Sequence, residues 1–254
     1  MEEKQIECGC KAARERNPLI HCITNYVAMN LSANSLLAIG ASPLMSFYAD
    51  EMEEIVSKCG ALMVNIGCLD NNQIDGMEAA VRAAKCFDKK WVLDPVGVGV
   101  SQVRTRICRH LIEIYSPAVI RGNASEILCL ANTEMQQGKI DSSVKSEDAL
   151  EAAKSLAQNT ESVVVISGET DYITDGTNVE TVRNGHPMMK SVTGMGCTAS
   201  ALVAAFVSVE ENTLMAAKKA MLLMGVAGER AAGKCAGNGS FSSAFIDELY
   251  NMNR

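Results

Sequence analysis

The sequence predicts an α/β fold with a largely parallel central sheet covered by helices on both faces. Two observations carry this reading. Runs such as Ala61–Ile66, Trp91–Asp94 and Ser162–Ile166 are close to continuously apolar, as strands buried on both faces must be. They recur between segments of helical period, the order that lays helices across a parallel sheet. A third observation concerns extent. No Pro/Ser-rich linker, low-complexity tract or solenoid repeat interrupts the 254 residues, so one domain over 1–254 is expected.

Residues 2–16 are charged with a few apolar positions and suit a surface helix. Pro18–Thr24 is a short β-type run, and Asn25 stands where a cap belongs before a helix over about 26–38. Gly40-Ala-Ser-Pro43 breaks the chain, Leu44–Ser46 suits a short strand, and 49–58 an acidic helix. Ala61–Ile66 ends in Gly67 and precedes a helix over 72–88, while Trp91–Asp94 is stopped by Pro95 and the glycines at 97 and 99. A helix over 102–115 leads to a strand at Ala118–Ile120, then Arg121-Gly122-Asn123 and a helix from about 124. Helix 146–158 precedes the strand Ser162–Ile166, and Asp171–Arg183 reads as a hairpin about Asp175-Gly176. Helices then cover 197–209, 213–231 and 242–250, with Gly237–Ser240 as a turn before the last.

Composition narrows the function. Hydrophobic residues make up 48% and charged residues 21%, enough to fill a sizeable core. A net charge of −7 argues against nucleic acid or an anionic membrane as partner. The first seven residues contain no apolar segment and no run of about 18 apolar residues follows, so neither a secretory signal nor a membrane span is expected. The setting is read as cytoplasmic. Ten cysteines without a C-x-x-C pair, beside only His21, His110 and His186, make no zinc signature. They are expected as reduced thiols, mostly buried.

Ligands of such sheets gather at the carboxyl ends of the strands, which brings forward Asn25, Met45, Asn65, Asp94, Arg121–Glu126 and Ser167–Glu169. The turn Thr193-Gly194-Met195-Gly196-Cys197 then runs into an apolar, small-residue helix. Its glycines leave bare amides at a helix N-terminus, where the macrodipole favours an anion; it reads as a phosphate cradle or as a tight connection. Gly194–Ala199 formally fits G-x-G-x-x-A, but no strand ending in an acid follows at the required distance, and no P-loop sequence occurs. Asp94, biased away from helical geometry by Pro95, suits a turn or a magnesium contact beside phosphates. Glu126 completes an N-cap box begun by Asn123 and could also reach a hydrated metal. Arg121 suits bidentate phosphate recognition or an ion pair with a neighbouring acid. Ser167 and Gly168 offer a hydroxyl and an amide to a nucleotide, and Met45 a thioether to a flat ligand or to the core.

Eight segments stand in an order and spacing that resemble the hydroxyethylthiazole kinases. They are PLIHCITN (Pro18–Asn25), GASPLM (Gly40–Met45), VNIG (Val64–Gly67), VLDPVGVG (Val92–Gly99), VIRGNASE (Val119–Glu126), SGETDYITD (Ser167–Asp175), RNGHP (Arg183–Pro187) and VTGMGC (Val192–Cys197). The resemblance implies a ribokinase-like fold without a separate lid. It implies ATP-dependent phosphorylation of the hydroxyl of 4-methyl-5-(2-hydroxyethyl)thiazole in thiamine salvage, with magnesium, in a homotrimer whose sites lie between subunits. Carried over by position, Met45, Gly194 and Asn25 would contact the thiazole, and Arg121 and Ser167 would hold ATP. Asp94 and Glu126 would lie near the metal. The Gly194–Cys197 turn would be the anion hole, making Gly194, Gly196 and Cys197 the catalytic set.

Two positions depart from the family pattern. Ser167 stands where Thr is usual, keeping the hydroxyl, and Gly237-Asn-Gly-Ser-Phe241 stands where Gly-Pro-Gly-Ser-Phe is usual, which loosens that turn. Cys197 occupies the place that an Asp base fills in the wider superfamily, as it does in the thiazole kinases. A thiol of pKa about 8.5 is acidified at a helix N-terminus, so Cys197 is expected to be a weak base or a positioning group. Two other classes stay open. One is a hydrolase with Cys197 as nucleophile and His21 or His186 as base; the other is a non-catalytic sensor of a thiazole-like ligand.

Overall fold

The computed structural model describes residues 2–131 and 145–252. Strands β1 (Leu19–Ile23), β2 (Ser42–Leu44), β3 (Ala61–Asn65), β4 (Trp91–Asp94), β5 (Val119–Asn123), β6 (Val163–Ser167), β7 (Asp171–Thr174) and β8 (Val179–Val182) form one sheet. Their order is β2-β1-β3-β4-β5-β6-β7-β8. The first six run parallel and the hairpin β7–β8 adds an antiparallel edge. The helices are α1 (Glu2–Arg16), α2 (Met29–Ala38), α3 (Met52–Lys58), α4 (Asn71–Cys86), α5 (Gln102–Tyr115), α6 (Ala124–Ala131), α7 (Leu150–Thr160), α8 (Met195–Val209), α9 (Thr213–Ala232) and α10 (Asn238–Met252).

The strands read as apolar because each feeds two cores. Side chains alternate across a sheet, so Ala61 and Met63 of β3 and Val163 and Val165 of β6 join α1, α2, α8, α9 and α10. Leu62 and Val64 of β3 and Val164 and Ile166 of β6 join α3, α4, α5, α6 and α7 on the opposite face. A polar substitution at any of these positions would be buried against one layer or the other. Among the described residues no helix is long and apolar enough to cross a membrane.

Four boundaries differ from the sequence reading. The second strand covers Ser42–Leu44 and not 44–46; as an edge strand it pairs only with β1, so Pro43 forfeits no ladder bond there. Helix α2 starts at Met29, because Asn25 first closes a turn by accepting the Ala28 amide at 3.0 Å. β5 continues past the expected end at Ile120 through Arg121-Gly122-Asn123, which pair with Val165-Ile166-Ser167. Gly237–Ser240 is the start of α10 rather than a loop, with the Phe241 amide bonded to the Gly237 carbonyl at 3.0 Å. All ten cysteines are free, but only Cys10, Cys22, Cys59 and Cys108 are buried, fewer than expected.

The sheet order places the site. β1 has β2 on one side and β3 on the other, so consecutive connections leave in opposite directions. The helix after β1 packs in one layer and the helix after β3 in the other. A crevice opens at such a switch point, above the carboxyl ends of the strands. Its floor carries Asn65 beside Asp94 in register and Asn123 beside Ser167.

Gly76 of α4 shapes the rim. A Cβ there would lie 2.0 Å from the carbonyl oxygen of Phe47, in the segment that follows Met45. Alanine ordinarily stabilises a helix interior by about 1 kcal/mol over glycine. Here the backbone clash dominates, so Gly76→Ala is expected to cost about 1–3 kcal/mol by urea denaturation and to raise the KM for the acceptor alcohol.

Candidate active site

The first turn of α8 is held open by its backbone. Gly194 caps the helix at φ +86°, a left-handed geometry that favours glycine, and a Cβ there would meet the Ala28 backbone at 3.2 Å. The Thr198 amide closes on the Gly194 carbonyl at 2.8 Å, while the amides of Met195, Gly196 and Cys197 donate to no acceptor among the described residues. They form a positive, undercommitted surface at the mouth of the crevice.

Arg121 reaches this surface from β5. A Cβ on Gly196 would stand 2.9 Å from its Nη1, so the second glycine makes room for the guanidinium as well as for a ligand. The Arg121 Nε is buried without a hydrogen-bond partner. Its charge pulls the carboxyls of Asp94, Asp171 and Glu126 downward, against the burial that pushes each of them up.

Asp94 is 1% exposed and ends β4. Its Oδ2 accepts from Asn65 Nδ2 at 2.6 Å and from Ser200 Oγ at 2.9 Å. Glu126 forms the N-cap box expected of it. Its Oε2 accepts the Asn123 amide at 2.9 Å, Asn123 Oδ1 accepts the Glu126 amide at 3.0 Å, and Oε1 takes the Gly97 amide at 3.0 Å. Burial first, and then the neighbouring Asp94, push the Glu126 carboxyl up. Two acids that repel one another inside a crevice are a fitting place for a cation. Among the described residues there is no cluster of three or more metal-ligating side chains. This donor set therefore suits a hydrated magnesium shared with phosphates, not a protein cage.

Cys197 lies beside the same network. Its Sγ accepts from Asn25 Nδ2 at 3.2 Å. Burial and then Asp94 push the thiol up to about 11, overriding the acidifying effect of the helix end that the sequence suggests. At neutral pH it is a thiol and not a thiolate. His21 is bonded through Nε2 to the Ser46 carbonyl at 2.9 Å, and His186 Nδ1 accepts the Met188 amide at 3.2 Å. Each histidine is engaged away from the thiol, which argues against the hydrolase alternative.

The other expected residues also come to the rim. Ser167 Oγ donates to the Gly122 carbonyl at 3.2 Å, so its hydroxyl is already oriented along β5. Met45 is half-buried against the α2 and α8 layer. Three residues without a role in the sequence reading, Ser200, Asp171 and Arg104, join Asn65, which its strand-end position brings forward. Arg104 ties two strand-end loops together, donating to the carbonyls of Ile66, Val96 and Gly67 at 2.5, 3.0 and 3.1 Å. Ser200 had one legible signal: it is a polar residue in an apolar helix one turn past Gly196, and such a group needs a buried partner.

Asp171 accepts the Gly168 amide at 3.0 Å and holds the loop after Ser167. Burial raises its pKa to about 6. The folded chain keeps this proton up to about pH 6, whereas the unfolded chain releases it near 4, so this group's contribution to stability falls as pH rises through that window. Asp171→Asn keeps the oxygen that accepts from Gly168. Relative to the wild type it is expected to gain stability at pH 7 and none at pH 4, read from denaturation midpoints at both.

Comparisons with known proteins agree with this geometry. A model of the hydroxyethylthiazole kinase family matches residues 10–254. A hydroxyethylthiazole kinase of Leptospira biflexa serovar Patoc is 48% identical over 240 residues, 94% of this chain and 90% of the relative. A solved hydroxyethylthiazole kinase from Pyrococcus horikoshii OT3 superposes with a TM-score of 0.90 at 36% identity, covering 98% of this chain and 93% of that one. A ribokinase-like superfamily protein from Enterococcus faecalis V583 shares the fold at a TM-score of 0.62 and 14% identity, over 92% and 87% of the two chains.

Proposed function

Because the chain belongs to the hydroxyethylthiazole kinase family, we propose that its ATP-dependent phosphorylation takes place between Asp94, Arg121 and the first turn of α8. The enzyme phosphorylates the hydroxyl of 4-methyl-5-(2-hydroxyethyl)thiazole on the way to thiamine. One observation carries the placement: Arg121 lies against Gly196 with a buried, unpartnered Nε, next to three amides that have no acceptor among the described residues. A terminal phosphate would accept from those amides and from the Nη end of Arg121 beside Gly196. Ser167 and Arg121 then hold the nucleotide, with Met45, Asn25 and Gly194 around the thiazole. Asp94 and Glu126 would hold a hydrated magnesium, which would neutralise phosphate charge.

In the reaction the alcohol oxygen bonds to the γ-phosphorus as the bond to the β-phosphate oxygen breaks; ADP leaves, and the alcohol's proton passes to an oxygen of the transferring phosphoryl group and on to solvent. The transition state is loose, so aligned amides and a guanidinium can supply most of the acceleration. Cys197, protonated at neutral pH, orients the alcohol through the Asn25 network and does not remove its proton. Cys197→Ser is accordingly expected to retain turnover within roughly tenfold of wild type. A loss in kcat as deep as that of Gly196→Ala would make the thiol essential.

The reading takes the chain as one kinase domain over 1–254, in the cytoplasm where ATP is supplied. It also takes the assembly to be a homotrimer with sites between subunits. Tyr26, Val27 and Tyr48 are 56%, 64% and 64% exposed, and the Tyr26 ring meets Phe47 edge-on at 6.3 Å, two residues from Met45. An exposed apolar patch next to a substrate site supports a neighbouring subunit there. The decisive assay is ADP release with the thiazole alcohol, ATP and magnesium, repeated with each omitted. ADP release that does not depend on the alcohol would overturn the assignment.

A further inference from the structure

We propose that Asn65 and Ser200 are positioning residues for Asp94, binding one carboxylate oxygen from two directions so that the other is the one offered to the metal–nucleotide complex. The inference rests on the reading of Asp94 given above. The direction of each bond follows from backbone donors. The Ala28 amide donates to Asn25 Oδ1 at 3.0 Å, so Asn25 must turn its Nδ2 toward Asn65 Oδ1, also at 3.0 Å. The Gly67 amide donates to the same Asn65 oxygen at 2.9 Å. With its oxygen claimed by two donors, Asn65 has only Nδ2 left to face Asp94, and it donates to Oδ2. Neither amide can flip without leaving a buried backbone N–H unpaired.

Ser200 approaches the same Oδ2 from α8. Its alternative acceptor, the Gly196 carbonyl, is at 3.5 Å, beyond a good hydroxyl bond. Asn65 and Ser200 are both 0% exposed, so no water competes for these donors. Two donors on one oxygen fix the carboxylate plane and leave Oδ1 as the oxygen that neither Asn65 nor Ser200 binds. The Ser200 bond also ties the end of β4 to the helix whose first turn presents the free amides. The acid and the anion hole therefore move as one unit. Partners of metal-facing carboxylates act in this way elsewhere, and their removal costs about 10–100-fold in metal affinity.

The test measures ADP affinity by calorimetry with and without magnesium, alongside kcat, the KM for the alcohol and the magnesium requirement. Ser200→Ala removes only the hydroxyl. It is expected to weaken magnesium-dependent ADP binding and raise half-saturating magnesium by roughly tenfold, leaving metal-free ADP binding and the alcohol KM unchanged. Asn65→Ala should show the same metal-specific pattern together with a lower unfolding temperature, because it also frees the Gly67 amide. In an Asp94→Asn background Ser200→Ala should change magnesium-dependent ADP binding no further, since the residue acts through the acid. Equal weakening with and without magnesium, or an effect that adds in full to Asp94→Asn, would overturn the proposal. If Asp94→Asn alone leaves the magnesium dependence of ADP binding intact, the reading of Asp94 itself fails and the proposal with it.

Discussion

Asp94→Asn is expected to leave the protein at least as stable as the wild type while lowering kcat roughly 10²–10³-fold. The two effects separate because the charge is costly to the fold and useful to the reaction. Burial pushes the Asp94 carboxyl up more strongly than Arg121, Ser200, Asn65 and Cys197 draw it down, so the fold disfavours the charged form of this side chain. An asparagine oxygen can take the place of Oδ2 and keep both donors satisfied. What disappears is the negative charge facing the magnesium and phosphates. Melting curves at pH 7 and initial rates at saturating substrate measure both quantities on one preparation. A variant that unfolded early would show the carboxylate to be a structural anchor, and one with near-normal turnover would remove Asp94 from the chemistry.

Gly196→Ala is expected to give the second large loss, about 10²-fold in kcat with a raised KM for ATP, at little cost in stability. Its new methyl meets the Nη1 of Arg121, the far end of a flexible side chain, and α8 tolerates alanine in its first turn. The fold can accommodate the change by moving the guanidinium. The site cannot, since Arg121 would leave the amides it lies against. Gly194→Ala provides the contrast. It forces a non-glycine residue to φ +86° and toward the Ala28 backbone, so it should lose about 1–2 kcal/mol of stability as well as activity. If both glycine variants lost stability equally, the turn would be a tight connection and no anion hole.

The strand-end reading picked out Asp94 and the glycine turn because the signals that mark them lie in local sequence. Asp94 before Pro95 announces a strand end and the glycine pair at 194 and 196 a helix start, whereas Arg121, expected at a strand terminus, lies inside β5. The N-cap box of Asn123 and Glu126 was likewise legible, being four consecutive residues with a fixed hydrogen-bond pattern. Boundaries failed where pairing outweighed propensity. β5 extends through Gly122 because β6 offers it a ladder, and β2 accepts Pro43 because it is an edge.

The sequence by itself determined the α/β layering, the sheet hairpin, the glycine turn and, through eight ordered segments, the family. Those properties depend on periodicity and on residues close together in the chain. Only the tertiary structure decided the electrostatics. Asn25, Asn65, Asp94, Cys197 and Ser200 come from three strand ends and one helix, and there burial and then Asp94 push the pKa of Cys197, expected as a weak base or a positioning group, up to about 11. A proton's affinity is set by what surrounds it within a few ångströms, and most of those neighbours lie dozens of residues away along the chain.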